Sequence, residues 1–167
     1  MALLGSLAIA APAEPASGGH PGGWTQVRPL SPAARELLVE AKVRSPIVES
    51  LVSRIEESDV IVFLALRYAR YQTEPRGQLR FMTAAGGYRM LFVDVEVWYS
   101  DRLEQIAMLG HELQHAVEVV SAPSVADQAG FLALYRHIGR EMEKGHFETA
   151  LAASTEHKVM RELLAAS

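Results

Sequence analysis

The chain contains no cysteine among its 167 residues. It can therefore form neither a disulfide framework nor a thiolate zinc site, and any transition-metal site must use histidine and carboxylate side chains. Runs of basic residues are also absent, and the formal net charge is -4. This charge gives no electrostatic reason to expect nucleic acid or an anionic membrane surface as a partner.

The N-terminal residues have little charge and no long hydrophobic run. The apolar stretch over residues 2–11 is too short to span a bilayer. Ala11-Pro12-Ala13 follows it, a small-x-small pattern typical of signal-peptide cleavage, although no Lys or Arg precedes the stretch. Residues 14–23 are rich in Pro, Gly and Ser, as in flexible segments. We therefore expect residues 1–23 to be a signal-like or flexible segment of an exported (periplasmic or secreted) protein; the alternative is a disordered leader on a cytoplasmic one.

Residues 24–167 have the length and composition of one globular domain, with 49% apolar and 22% charged residues in the chain. Ser31-Pro32 and Ser45-Pro46 each combine an N-cap serine with a first-turn proline and predict two helices. A β-rich part follows, with strands expected over 59–66, 79–84 and 88–97. Gly86-Gly87 predicts a hairpin between the last two strands.

Three more helices are expected after these strands. Ser100 is the expected N-cap of the first helix, which Pro123 ends. The second covers about 125–138 and the third about 147–165, with a loop over 139–145 between them. This order of elements predicts an α+β fold, in which helices pack on a small mixed sheet.

The segment His111-Glu112-Leu113-Gln114-His115 lies in the middle of the helix expected after Ser100. Residues i and i+4 of a helix lie about 40° apart around its axis, so both imidazoles can face one tetrahedral ion. Glu112 follows the first histidine and can take a proton from water at the open position of the metal. Zinc suits a ligand set of nitrogen and oxygen atoms. The alternative is an ordinary amphipathic helix with two solvated histidines.

H-E-x-x-H on a helix behind a small sheet, with a glutamate further along, resembles the gluzincins, the thermolysin-like zinc metallopeptidases. The similarity is greatest to their compact, single-domain minigluzincin forms. It extends from Asp59 to the C-terminus, but only residues 111–115 are specific. The resemblance implies a zincin-like fold, zinc as cofactor and a peptide or protein as substrate. It also implies His111 and His115 as zinc ligands, Glu112 as general base, and an edge strand beside the substrate backbone, which the strand beginning at Tyr88 would supply.

The third zinc ligand of such a family comes from another helix. The glutamates that follow His115 are Glu118, Glu141, Glu143, Glu148, Glu156 and Glu162. We select Glu148, because it is expected to open the last helix on a face of small, half-apolar residues. Glu118 shares the face of the two histidines but lies a further ~4.5 Å along the axis. It is therefore expected to accept an imidazole N–H, and it is the alternative third ligand. The family's Asp four residues after the ligand is replaced by Ala152, for which Glu118 or Asp127 could substitute.

Tyr135 is the candidate donor to negative charge in the transition state, with a packing role as its alternative. Two other functions compete with the peptidase. One is a non-catalytic zincin-like domain that binds a metal or a partner. The other is a di-iron carboxylate protein built on Glu112-x-x-His115 and Glu143-x-x-His146, which the β-rich segments contradict. Substrate preference and oligomeric state cannot be inferred from the sequence.

Overall fold

The protein has a mixed α/β fold in which helices pack against a small mixed sheet. The computed structural model describes residues 25–68, 75–143 and 146–166. The signal-like segment expected over 1–23 lies outside these residues. The described elements are β1 (Val27–Pro29), α1 (Pro32–Arg44), α2 (Pro46–Glu56), β2 (Val60–Arg67), β3 (Gly77–Ala85), β4 (Tyr88–Glu96), α3 (Arg102–Val120), α4 (Gln128–Ile138), β5 (Arg140–Glu143), β6 (His146–Glu148) and α5 (Ala150–Ala165).

The first two helices begin where their serine-proline signals predict. The Ser31 side chain accepts a hydrogen bond from the backbone N–H of Ala34, and Ser45 does the same for Val48. Each bond satisfies one of the backbone donors that the first turn of a helix leaves unpaired. The predicted caps of α1 and α2 are therefore confirmed. Strand β1 was not expected from the sequence.

The four-stranded sheet has the order β1-β2-β4-β3. Strands β1, β2 and β4 are parallel, and β3 pairs with β4 in the predicted hairpin. The φ angles of Gly86 and Gly87, 60° and 82°, lie in the left-handed region that favours glycine and suits a tight hairpin turn. The expectation that the strand from Tyr88 lies at an edge is wrong, because β4 is flanked by β2 and β3. Among the described strands, β3 forms that edge.

Helix α3 crosses the sheet and forms the centre of the molecule. Every residue over 106–119 is buried, between the sheet on one side and α2 and α5 on the other. Its C-terminal end is attached to the sheet by the buried Arg89 of β4. This guanidinium donates to the backbone oxygens of Val119 and Ala122 and to the Asp59 carboxylate. None of the described helices is both long and apolar enough to cross a bilayer.

The N-terminus of α3 is capped one residue later than expected. Asp101 is the N-cap and forms a capping box with Glu104, in which each side chain accepts the backbone N–H of the other residue. Ser100 instead donates its hydroxyl to the backbone oxygen of Glu96. The predicted cap at Ser100 is therefore wrong, although the helix itself is confirmed.

The chain after α4 differs most from the prediction. Strands β5 and β6 form a short antiparallel hairpin where a loop was expected over 139–145. Helix α5 begins at Ala150 with Thr149 as N-cap, not at residue 147. Glu148 consequently ends strand β6 and does not open the last helix.

Candidate metal centre

Close contact between α3 and α5 buries the H-E-x-x-H segment. Gly110 makes this contact possible, because a Cβ atom there would lie 2.9 Å from Cγ2 of Val159 on α5. The exposed fractions of His111, Glu112 and His115 are only 6%, 3% and 5%. The alternative of two solvated histidines on a polar helix face is therefore wrong.

The two histidines and Glu148 bring their ligand atoms to one place. The imidazole centroids are 4.9 Å apart, with the ring planes at 74°. Glu148 reaches them from β6, with its Oε1 atom 3.6 Å from Nε2 of His111. One donor atom from each of the three residues lies within 4.8 Å of the others. The group could hold a metal ion, and Glu148 joins it from a strand rather than from the expected helix.

Glu118 orients the second histidine, as the sequence predicts. Its Oε2 atom is 2.8 Å from Nδ1 of His115, and because a carboxylate only accepts, the imidazole donates from Nδ1. This leaves the Nε2 lone pair available to a metal ion. The other oxygen of Glu118 accepts a 2.6 Å hydrogen bond from the hydroxyl of Thr149, next to Glu148. Glu118 thus lies behind the ligand group and is not part of it.

Glu156 of α5 takes the corresponding position behind His111. Its Oε2 atom lies 3.2 Å from Nδ1 of His111, an ion-pair distance without the alignment of a linear hydrogen bond. Its Oε1 atom is 2.6 Å from the guanidinium of Arg76. The contact with His111, supported by Arg76, lowers the pKa of the Glu156 carboxyl. Burial alone would lower the pKa of His111, but the surrounding carboxylates, with Glu156 first among them, raise it.

The role of Glu156 was not assigned from the sequence. The two residues considered as replacements for the missing Asp have other partners, since Asp127 caps α4 and Glu118 contacts His115. The available signal was periodicity, because Glu156 follows the buried Ala152 by one turn on the inward side of α5.

Glu112 carries a buried carboxylate beside this group. Its Oε2 atom has no hydrogen-bond partner among the described residues. Burial raises its pKa to about 7, although the neighbouring His115 and His111 act in the opposite direction. A carboxyl group whose pKa lies near neutrality can both accept and return a proton, which is the requirement for general acid–base catalysis.

A cleft of about 260 Å³ opens over the ligand group. The beginning of β3, helix α4 and the β5–β6 hairpin all contribute to its lining. Its apolar lining residues are Pro75, Leu79, Met108, Phe131, Tyr135, Met142 and Phe147. The cleft therefore combines reactive polar side chains with an apolar lining, the usual composition of a small-molecule or peptide site.

Tyr135 lines this cleft but directs its hydroxyl to the helix backbone, and Tyr88 is not a lining residue. The Tyr135 ring packs on His115, with centroids 5.4 Å apart, and its hydroxyl donates to the His115 backbone oxygen at 2.8 Å. Burial raises the Tyr135 pKa, so the hydroxyl keeps the proton that it donates to the helix backbone. Tyr88 pairs with Ala85 at the hairpin turn and is not among the residues that line the cleft. This geometry gives no support to the transition-state role of Tyr135 or the substrate-strand role of Tyr88, and both stay predictions.

The second half of a di-iron site is not formed. Glu143 ends β5 and His146 begins β6, whereas a di-iron bundle carries both Glu-x-x-His pairs on facing helices. In the described parts of the chain, the group of His111, His115 and Glu148 is the one cluster of ligand-type side chains close enough for a metal ion. The described residues therefore give no support to the di-iron alternative.

Comparison of the chain with known protein families, with curated proteins and with solved structures finds no match. The function must therefore be inferred from the chemistry of the cleft. Two imidazoles, one carboxylate ligand and one further buried carboxylate form the polar set from which that inference starts.

Proposed function

We propose that the protein is a zinc-dependent metallopeptidase with a zincin-like fold. His111, His115 and Glu148 are its zinc ligands, and Glu112 is its general base. One observation carries the proposal: three ligand atoms lie within 4.8 Å of one another beside a buried Glu112 oxygen that accepts no hydrogen bond from the described residues. Three protein ligands with one position left open are the usual arrangement of catalytic zinc, whereas structural zinc takes four.

The donor set fits zinc. Two imidazole nitrogens and one carboxylate oxygen are ligands that zinc accepts in tetrahedral sites, and the chain has no thiolate to compete. Oε1 of Glu148 is buried and has no hydrogen-bond partner among the described residues, which is costly for a carboxylate unless a cation compensates it. Each histidine has a carboxylate oxygen close to its Nδ1 atom, as metal-binding histidines usually do at the ring nitrogen that does not bind the metal.

Each polar side chain then has a role in hydrolysis. Bound zinc acts as a Lewis acid that lowers the pKa of a water molecule and polarises a carbonyl group. Glu112 accepts the proton of the attacking water and returns it to the leaving amine. Glu118 and Glu156 keep the two imidazoles in place.

A peptide substrate is supported by the position of β3. This edge strand contributes Gly77, Gln78 and Leu79 to the cleft lining, and its outer edge faces no other described strand. The unpaired N–H and C=O groups of an edge strand can bind an extended peptide by strand addition. Strand β3 thus takes the substrate-pairing role that the sequence assigned to β4.

The test combines metal analysis with a peptidase assay. Purified wild-type protein should contain about one zinc per chain and cleave a library of quenched fluorescent peptides. Glu112→Gln should keep the zinc and the fold but lose activity by a factor of about 10² to 10⁴, because an amide cannot accept the proton. Glu104→Gln is the matched control on the same helix, since glutamine also serves at this position of a capping box.

The non-catalytic zincin-like domain is the alternative that this experiment separates. Zinc at one per chain without cleavage by wild type would support that alternative. Equal cleavage by wild type and Glu112→Gln would remove Glu112 from the role of base. The missing Asp is no evidence for a binding-only domain, because Glu156 already contacts His111.

A further inference from the structure

The beginning of β3 lies directly against the carboxylate of Glu112. A Cβ atom on Gly77 would be 2.5 Å from Oε1 of Glu112 and 2.9 Å from its Cγ. Both distances are far below van der Waals contact. The φ angle of Gly77 is not in the left-handed region, where the described residues include only Gly86 and Gly87. Lack of space, and not backbone conformation, is therefore what requires glycine at this position.

A side chain at position 77 could be accommodated only by displacing Glu112 or Met108. The Sδ atom of Met108 would lie 2.7 Å from the added Cβ atom. Both residues are buried on α3, where close packing leaves little free volume. The Glu112 side chain is flexible at its carboxylate end, so its displacement is the least costly response.

The preceding residue reaches the other side of the same site. The guanidinium of Arg76 is 2.6 Å from Oε1 of Glu156, whose second oxygen faces His111. The backbone at this point is attached to the sheet, because the oxygen of Arg76 accepts the N–H of Glu96 at 2.7 Å. Two consecutive residues at one strand end thus contact the base and the carboxylate behind a metal ligand.

We propose that Arg76 and Gly77 are positioning residues for the reaction, an inference that rests on the proposed function. Gly77 lets the Glu112 carboxylate occupy its place beside the ligand group. Arg76 holds Glu156 against His111. Neither acts on the substrate bond itself, and each works through another side chain. The end of β3 therefore determines the geometry of both the base and one ligand.

Gly77→Ala tests the contact with the base. We expect kcat to fall about 100-fold, because a displacement of about 1 Å in a reacting group can cost that much. KM and zinc affinity should stay near wild type, and Tm should fall by only a few degrees, because the added Cβ overpacks Glu112 and Met108 while the fold is kept. Gly130→Ala is the matched control, because its Cβ would have no neighbour closer than 3.4 Å. In a Glu112→Gln background, Gly77→Ala should cause no additional loss.

Arg76 is tested by zinc affinity, measured in competition with a chromogenic chelator. Arg76→Ala should weaken zinc binding about 10-fold, the effect typical of losing support behind a ligand. Arg76→Lys should restore most of it, since the contact uses one guanidinium nitrogen that an ammonium group can replace. Equal zinc affinity in all three proteins would overturn the role of Arg76.

Three results for Gly77→Ala would overturn its role: unchanged kcat, a raised KM with unchanged kcat, or loss of the fold. The second would indicate a contact with substrate, and the third a purely structural glycine. These outcomes differ from failure of the proposed function, which would appear in the wild type as absence of zinc or of cleavage. If the proposed function fails in this way, the inference about Arg76 and Gly77 fails as well.

Discussion

Removing Glu118 should weaken both the metal site and the fold. This buried carboxylate accepts from His115 and from Thr149, so it connects α3 to the residue between Glu148 and α5. Two of the three proposed ligands thus depend on its position, one through a direct contact and one through a chain neighbour. Glu118→Ala removes both contacts at once.

The size of the effect follows from those two contacts. A hydrogen bond to a charged group contributes roughly 1.5–3 kcal/mol, so the loss of two would cost about 3–6 kcal/mol. Relief of the desolvation penalty of a buried carboxylate offsets part of this cost. We therefore expect Glu118→Ala to lower the free energy of unfolding of the metal-free protein by about 2–4 kcal/mol. Zinc affinity should fall about 10–100-fold, which corresponds to about 1.4–2.7 kcal/mol.

Glu118→Gln separates the charge of this side chain from its shape. The amide oxygen can accept from His115, while the amide NH₂ can donate to the Thr149 hydroxyl if that hydroxyl turns. Both contacts survive in a weaker, neutral form. We expect Glu118→Gln to lie between wild type and Glu118→Ala in zinc affinity and in stability.

Chelator competition and urea unfolding of the metal-free protein are the two assays for this series. Wild-type zinc affinity in Glu118→Ala would refute the orienting role. Complete loss of zinc, equal to that of His115→Ala, would instead identify Glu118 as a ligand. Such a result would exclude the ligand set that includes Glu148.

Three further predictions concern the ligand set and its framework. Glu148→Ala should abolish stoichiometric zinc in metal analysis, while Glu141→Ala on the paired strand should not. Gly110→Ala should lower the free energy of unfolding by about 1–3 kcal/mol through overpacking against Val159, with recovery in a double variant that also carries Val159→Ala. Arg89→Met should cost about 3 kcal/mol in urea unfolding, because backbone oxygens at the end of α3 lose a charged donor.

Local signals in the sequence predicted the first half of the fold well. The Ser-Pro pairs marked α1 and α2, and Gly86-Gly87 marked the hairpin, because each feature depends on a few neighbouring residues. The prediction of Ser100 as the N-cap of α3 was wrong, also because of the neighbouring residues. Two adjacent residues can both cap a helix, and Asp101 was selected by the position of Glu104 three residues later.

The β5–β6 hairpin could not be predicted in this way. Residues 140–143 and 146–148 form short, mostly polar segments with only one apolar residue each, so they resemble a loop. Their strands are defined by pairing with each other rather than by a buried face. Glu148 was consequently selected together with His111 and His115, with which it lies, but it was expected on a helix and lies on strand β6.

The residues of the candidate site also fall into two groups, those predicted from local sequence and those that only tertiary packing brings to the site. His111, Glu112, His115 and Glu118 lie on one helix, where spacing alone determines which side chains share a face. Glu156, Arg76 and Gly77 were missed because they meet α3 only through tertiary packing. A glycine required for lack of space cannot be recognised until the atom that would clash with it is located.

The remaining error was the expectation that β4 lies at an edge of the sheet, although the sequence carries a signal for its central position. Strand β4 contains the apolar run Met90-Leu91-Phe92-Val93, as expected for a strand between two others, whereas β3 includes the exposed Arg80 and Met82. Charged side chains on a strand favour an edge position. Because β3 is the edge among the described strands, the strand proposed to bind a peptide begins at Gly77, directly after Arg76. Substrate binding along β3 would therefore act on the same strand end that we propose keeps Glu112 and His111 in position.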